Sequence, residues 1–265
     1  HLRNGIFGFY GCFSNDHNCY ITGVRQPSIP NFFSLFHFFT FITIMLTTEE
    51  WDILTLSLRV GLLCVAISLP FGIALGWFLA RHHFRGKILF DSILHLPLVL
   101  PPVVTGYVLL ILLGRRGILG EILNDWFGIQ LAFTWYAAVL ASAVVGFPLL
   151  LRAIRLAIEN IDPKLEHAAR TLGASPLHVF ITVTMRLAMP GIWVGALLTF
   201  ARSLGEFGAT ITFAANIAGE TRTLPLAIYT FLNQPSGEDP AVRLVIISAL
   251  ISLGALIASE WVTRR

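Results

Sequence analysis

Residues 60–80 read Val60-Gly-Leu-Leu-Cys-Val-Ala-Ile-Ser-Leu-Pro-Phe-Gly-Ile-Ala-Leu-Gly-Trp-Phe-Leu-Ala80, a run without a single charge. At about 1.5 Å per helical residue it covers about 30 Å, the depth of a bilayer's hydrocarbon core. In hydrocarbon every backbone N–H and C=O must find a partner within the protein, which leaves helices and closed barrels as spanning structures. Barrel strands alternate apolar and polar residues; this run does not, so it predicts a helix. Four further stretches share its character: Ile93–Leu113, Leu131–Leu151, Leu187–Phe213 and Leu244–Val262. Pro97, Pro101 and Pro102 must kink or break the second, Arg202 and Glu206 interrupt the fourth, and Glu260 closes the fifth. The fold class that follows is an all-α integral membrane protein with about five transmembrane helices.

Composition agrees. The chain has 265 residues, 55% hydrophobic and 12% charged, where a soluble domain carries about 25% charged residues; mean hydropathy is +0.75. The net charge of +3 comes with no basic-aromatic patch, so nucleic acid is excluded as a partner and the cations read as topology markers and contacts for membrane lipid. Cys12, Cys19 and Cys64 have neither metal-site spacing nor a disulfide framework, and no metal is expected. Gly72/Gly76 and Gly191/Gly195 have GxxxG spacing; this either marks close helix contacts or reflects the general abundance of small residues in membrane helices.

The loops set an orientation. Arg81, Arg85 and Lys87 follow span one, Arg152, Arg155, Lys164, Arg170 and Arg186 follow span three, and Arg264 and Arg265 follow span five, whereas the opposite side carries Arg115, Arg116, Arg222 and Arg243. Positive charge stays in the cytoplasm, which predicts a periplasmic N-terminus for the core, a cytoplasmic C-terminus and a cytoplasmic 152–186 loop. Residues 1–44 stand apart as an atypical extension ahead of a 45–265 membrane domain: the chain opens on His1, and Met45 precedes Leu-Thr-Thr-Glu-Glu-Trp just ahead of span one. They read as upstream sequence before a start at Met45, or as a sixth helix over Asn31 to Leu46.

The cytoplasmic loop has legible ends. Asp162-Pro163 pairs an N-cap with proline at the first helical position; a helix runs to Leu172 and stops at Gly173. Ser175-Pro176 repeats the start, and a second helix runs through Val179 and Val183 until Pro190 interferes. Here the chain resembles the permeases of ABC importers, whose loop carries E-A-A, three residues, G, nine residues and I-x-L-P. This sequence has His167-Ala168-Ala169, three residues, Gly173, nine residues and Val183-Thr184-Met185-Arg186. His167 replaces the family's glutamate, with Glu166 one residue earlier in a position to take over its charge, and Arg186 replaces the proline. The resemblance implies the type I importer permease fold and assigns ATPase coupling to Glu166, His167, Ala168, Ala169, Gly173 and Ala174. It extends over about residues 45–265. The stretch His95-Leu-Pro-Leu-Val-Leu-Pro-Pro-Val-Val-Thr-Gly106 is similar to span two of molybdate permeases. Arg202-Ser-Leu-Gly-Glu-Phe-Gly-Ala-Thr210 with Gly219-Glu-Thr-Arg-Thr-Leu-Pro225 is similar to their fourth span and the loop after it. Sulfate permeases share the fourth-span segment, so sulfate, thiosulfate and tungstate stay open beside molybdate.

What the resemblance implies is an inner-membrane subunit working with a separate ABC ATPase, a periplasmic molybdate-binding protein and a second copy of itself. The chain lacks G-x-x-x-x-G-K-[ST], so no cofactor is expected on it, and ATP and Mg belong to the partner. Arg202 and Glu206 fall four apart in an apolar span, where a lone charge costs about 2.5–3.5 kcal/mol by insertion scales. They predict an ion pair on one helix face and, with Ser203, Thr210 and Thr212, a pathway or gate; Glu220, Thr221 and Arg222 are the outer-loop contacts expected. Two rivals from other classes are an intramembrane enzyme using Glu206, His95 and Arg202, and a passive channel, which would have no use for the docking loop.

Overall fold

The computed structural model describes residues 46–235 and 237–263; the alternative readings of residues 1–44 and of a helix beginning at Asn31 lie outside them. Among the described residues eleven α-helical segments follow one another: α1 (Thr48–Arg81), α2 (Lys87–Val99), α3 (Pro102–Leu113), α4 (Ile118–Phe127), α5 (Trp135–Glu159), α6 (Pro163–Thr171), α7 (Pro176–Val179), α8 (Met185–Leu204), α9 (Gly208–Phe213), α10 (Leu224–Leu232) and α11 (Glu238–Thr263). Among the described residues no strand occurs. Four stretches are long and apolar enough to cross a bilayer: α1, α5, the run Pro176–Leu204 and Glu238–Val262; the bent pair α2/α3 makes a fifth. The five-span expectation holds.

α5 is the centre. Two-thirds of its apolar window is buried, against less than a third in the other continuous spans, and α1 and α8 make their largest packing contacts with it. Both glycine pairs serve those contacts. A Cβ built on Gly72 would lie 3.1 Å from Leu150 Cδ2 and one on Gly76 2.9 Å from Ile154 Cγ2; on the other side Gly191 abuts Ala157 and Gly195 comes within 3.0 Å of Ala153 Cβ. The GxxxG spacing is therefore a packing device on both helices that flank α5.

Proline chemistry breaks span two where the sequence asks for it. Leu100 and Pro101 are extended, with ψ of 144° and 131°, because a residue before proline is pushed out of the α region. α2 and α3 meet at 111°, while Pro97 stays inside α2. Span four departs from expectation twice. Pro190 does not stop the helix: α8 runs straight through it, since a membrane helix re-satisfies the one carbonyl its ring releases. The irregularity sits earlier, as a π-turn over Phe180–Thr184 joining α7 to α8. Nor is Leu187–Phe213 one helix: α8 ends at Leu204, and α9 begins at Gly208. α9 crosses α3 closely, Gly106 lying against the Ala209 backbone and a Cβ on Gly208 reaching to 2.8 Å from Pro102 Cβ.

Candidate functional site

The loop between spans three and four forms as its capping residues predict. Asp162 Oδ1 accepts from Lys164 N at 2.9 Å, and Ser175 Oγ accepts from His178 N at 3.3 Å. α6 ends in a paired closure in which Ala174 N donates to Ala169 O (3.2 Å) and Gly173 N to Arg170 O (2.9 Å), a Schellman motif that requires a left-handed residue. Gly173 supplies it at φ +90°, with nothing within 4 Å of a Cβ. Its requirement is thus conformational, not steric. His167 and Ala168 are exposed, and Ala169 and Ala174 half-buried. The tip carries two leucines that composition did not single out: Leu172 is 89% exposed and Leu177 68%.

Glu166 does something else. It is buried, and its Oε1 accepts from Arg81 Nη2 (2.7 Å), Arg81 Nε (3.2 Å) and the Thr184 hydroxyl (2.8 Å). Arg81 also reaches the Ile161 carbonyl at 3.4 Å. One carboxylate thus joins the loop between spans three and four to the end of α1 and to the π-turn that opens into α8. Its charge is spent inside the chain, not on the exposed face beside His167. Arg81 sits in sequence where a topology-marking cation would, which is why its partner was not legible.

In the break between α8 and α9, Glu206 is almost fully buried and Arg202 Nη1 lies 2.9 Å from its Oε2. The approach is off-line for a hydrogen bond, so the contact is an ion pair by distance. The other oxygen caps α9, accepting from Ala209 N at 2.9 Å. The expected i, i+4 pair exists, although Glu206 stands beyond the end of the helix that carries Arg202. Nearby hydroxyls are engaged locally: Ser203 donates to Phe200 O, Thr210 to the carbonyls of Glu206 and Phe207, and Thr212 to those of Gly208 and Ala209. Their protons point to their own backbone, leaving oxygen lone pairs as the outward chemistry.

The loop over residues 215–222, expected on the outer side, is a tied structure. The Thr221 hydroxyl, buried, accepts from Ile217 N (2.9 Å) and donates to Ala215 O (3.2 Å). Arg222 Nε donates to Asn216 Oδ1 at 3.1 Å, and its Nη1 pairs with Glu49 at 3.1 Å; Glu220 alone of the three is exposed to solvent. Beside this loop is a second clamp. Glu50, the third residue of α1 and the partner of Thr47 in a capping box, also accepts from Arg243 on α11, with Nη2 at 2.8 Å. The Thr-x-x-Glu signature was readable; the arginine 193 residues away was not. A third cluster, Asp91–Arg155–Glu159 with His95, links α2 to α5 through the 2.9 Å Asp91–Arg155 ion pair, with Arg155 also paired to Glu159 at 2.8 Å within α5.

The family of binding-protein-dependent transport system inner membrane components matches residues 72–265. This chain belongs to that family. Among relatives of this inner membrane component, the molybdenum transport system permease protein ModB of Escherichia coli (strain K12) is 60% identical over 83% of this chain and 96% of its own length. That of Haemophilus influenzae is 54% identical over 82% and 94%. The sulfate transport system permease CysW of Synechocystis is 33% identical over 90% and 87%. Solved structures agree on the fold: a chain of a bacterial ABC transporter that imports alginate aligns with TM-score 0.65 at 18% identity, covering 86% of this chain and 83% of its own, and one of an amino acid ABC transporter with TM-score 0.55 at 20%, covering 89% and 98%.

Proposed function

We propose that this chain is the membrane-spanning permease of an ABC importer for molybdate. The observation that carries the reading is the 60% identity with a molybdenum permease over 96% of that protein; the sulfate relatives stand at 33–34%, which makes sulfate the second reading. ATP and Mg are handled by a separate ATPase, since no phosphate-cradling loop is present here. A periplasmic binding protein delivers the dianion, and two copies of the chain enclose the path. The periplasmic N-terminus and cytoplasmic C-terminus of the core follow the distribution of lysine and arginine.

The geometry suggests how coupling works. The exposed Leu172 and Leu177, on either side of the Gly173 turn, form the apolar tip that an ATPase groove covers. When the ATPases close on ATP, displacement of that tip is handed through Glu166 to Arg81 at the end of α1 and to Thr184 at the base of α8. α8 leads to the Arg202–Glu206 break, where α9 lies against α3. A tetrahedral oxyanion passing there meets a partly exposed guanidinium held by its carboxylate. That arrangement favours passage over tight retention, because the cation is already paired.

The test is uptake of radiolabelled molybdate and sulfate by cells lacking their own permeases, expressing this chain with its ATPase and binding protein. Molybdate uptake that disappears with a hydrolysis-dead ATPase supports the reading. Sulfate uptake without molybdate uptake selects the second reading, and uptake independent of the ATPase returns the chain to the channel class.

A further inference from the structure

A cavity of about 930 Å³ lies between the end of α1 and the α6–α7 loop; the transport reading uses Arg81, Glu166 and Leu177 at its border and leaves the space itself unassigned. Its floor is apolar: Ala74, Trp77, Phe78 and Phe180. Its rim carries one unspent cation. Arg81 and Glu166 neutralise each other, leaving Arg170, which forms no ion pair among the described residues, beside the imidazoles of His82, His83 and His167. His82 is held between Trp77 (5.4 Å, edge-on) and Phe78 (4.9 Å, stacked), and its Nδ1 is 3.2 Å from the Phe78 carbonyl. That bond uses Nδ1 as donor; Nε2 is then an acceptor in the neutral ring and a second donor where an anion holds the ring protonated.

The apolar floor continues outside the cavity. Ile67, Phe71, Ala74 and Phe78 recur at i, i+4, i+7 and i+11 on α1, one face of a helix, and all four are exposed. From Ile67 to Phe78 is about 16 Å of helix, close to half of a hydrocarbon core of about 30 Å. An apolar stripe one leaflet deep therefore leads into a cavity whose rim carries an unspent cation, at the end of an uncharged span.

We propose that this cleft seats an anionic phospholipid, with an acyl chain along Ile67, Phe71, Ala74 and Phe78 and the headgroup phosphate at His82, His83 and Arg170. The ligand must be amphiphilic because the stripe and the rim are continuous, and anionic because the rim has no unpaired carboxylate. An ATPase surface would meet the rim but not the stripe, which lies within the span. Since Glu166, His167, Arg170 and Leu177 border the same cavity, the seated lipid buttresses the coupling loop against α1. The proposal relies on the transport reading only for naming the leaflet as cytoplasmic.

The full-length chain with Trp77 as its sole tryptophan, the other five replaced by phenylalanine, reports binding by fluorescence quenching with phosphatidylglycerol or phosphatidylcholine brominated on the acyl chains. Phosphatidylglycerol quenches at about tenfold lower mole fraction, and Arg170→Gln with His83→Gln abolishes the difference. Equal quenching by both lipids from the start overturns the proposal in favour of ordinary bilayer contact; no quenching by either overturns it in favour of a protein, a second copy of this chain included, covering the cleft. Native mass spectrometry of the chain with all its tryptophans guards against a poorly folded reporter. It retains phosphatidylglycerol over phosphatidylcholine, and the Arg170→Gln, His83→Gln variant does not; retention without lipid preference overturns the proposal. Neither measurement involves molybdate, so the lipid site and the transport reading fail separately.

Discussion

The two ends of α1 are both clamped by a glutamate and an arginine, and the clamps differ in what they hold. At the first end Glu50 belongs to α1 itself, already fixed by the Thr47 cap, and receives Arg243 from the start of α11. It joins two long spanning helices. At the other end the arginine belongs to α1, and the glutamate comes from a nine-residue helix in the loop between spans three and four. Both carboxylates are buried, but Glu166 spreads its one bonded oxygen over Arg81 and Thr184, elements on either side of a mobile connection in the proposed cycle. The same chemistry serves as a rivet where helices are long and as a linkage where the held element is short. The difference lies in the elements, not in the pair.

The comparison breaks most easily at the rivet. Glu50→Ala strands Arg243 and removes half of a capping box, so a loss of about 3 kcal/mol is expected, seen as a lower melting temperature in detergent and a sharply reduced inserted yield. A near-normal melt would show that the first clamp is not structural. The mid-span pair comes next. Arg202→Ala and Glu206→Ala should each depress yield or uptake, with the double variant less harmful than the summed singles; additive effects would defeat the pairing, and loss of uptake in Arg202→Ala alone would make that arginine a direct anion contact.

Glu166→Gln sharpens the contrast. It keeps the shape and the Thr184 contact but weakens the Arg81 bond, so about 1–2 kcal/mol of stability should go while uptake per inserted molecule falls several-fold and the ATPase still associates. Equal, proportionate losses in yield and uptake would make it a second rivet. Gly173→Val touches no neighbour yet imposes a left-handed conformation on a β-branched residue, costing about 1–2 kcal/mol; it should insert normally and lose ATPase association in pull-down. Smallest is Arg222→Gln, which breaks an ion pair with an exposed Glu49 and should change the melt by less than about 1 kcal/mol; a large effect would promote the outer loop to a functional contact.

Much of this molecule is local chemistry, and that part was readable in the chain. Five long apolar runs predict five spans because their backbone must satisfy its own hydrogen bonds in hydrocarbon. Pro101-Pro102 predicts the bend between α2 and α3, and Asp162, Gly173 and Ser175 predict the loop, because caps and left-handed turns are decided by a residue and its immediate neighbours. Arg202 and Glu206 were paired correctly because they are four residues apart, close enough to meet although the helix carrying Arg202 ends at Leu204 and Glu206 stands just beyond it. The failures share a cause. Pro190 was expected to end a helix that tertiary packing carries through it, and the break that does occur falls at Gly205–Phe207, where Glu206 caps a new helix leaning on α3. Glu166 was read as charge for the coupling face, and Arg81 and Arg243 as topology markers, while Glu50 drew no reading of its own. Their partners stand 85 and 193 residues away. No periodicity reports a contact between chain-distant side chains, and only the folded bundle, by burying those carboxylates where water cannot solvate them, decides that each must find its arginine.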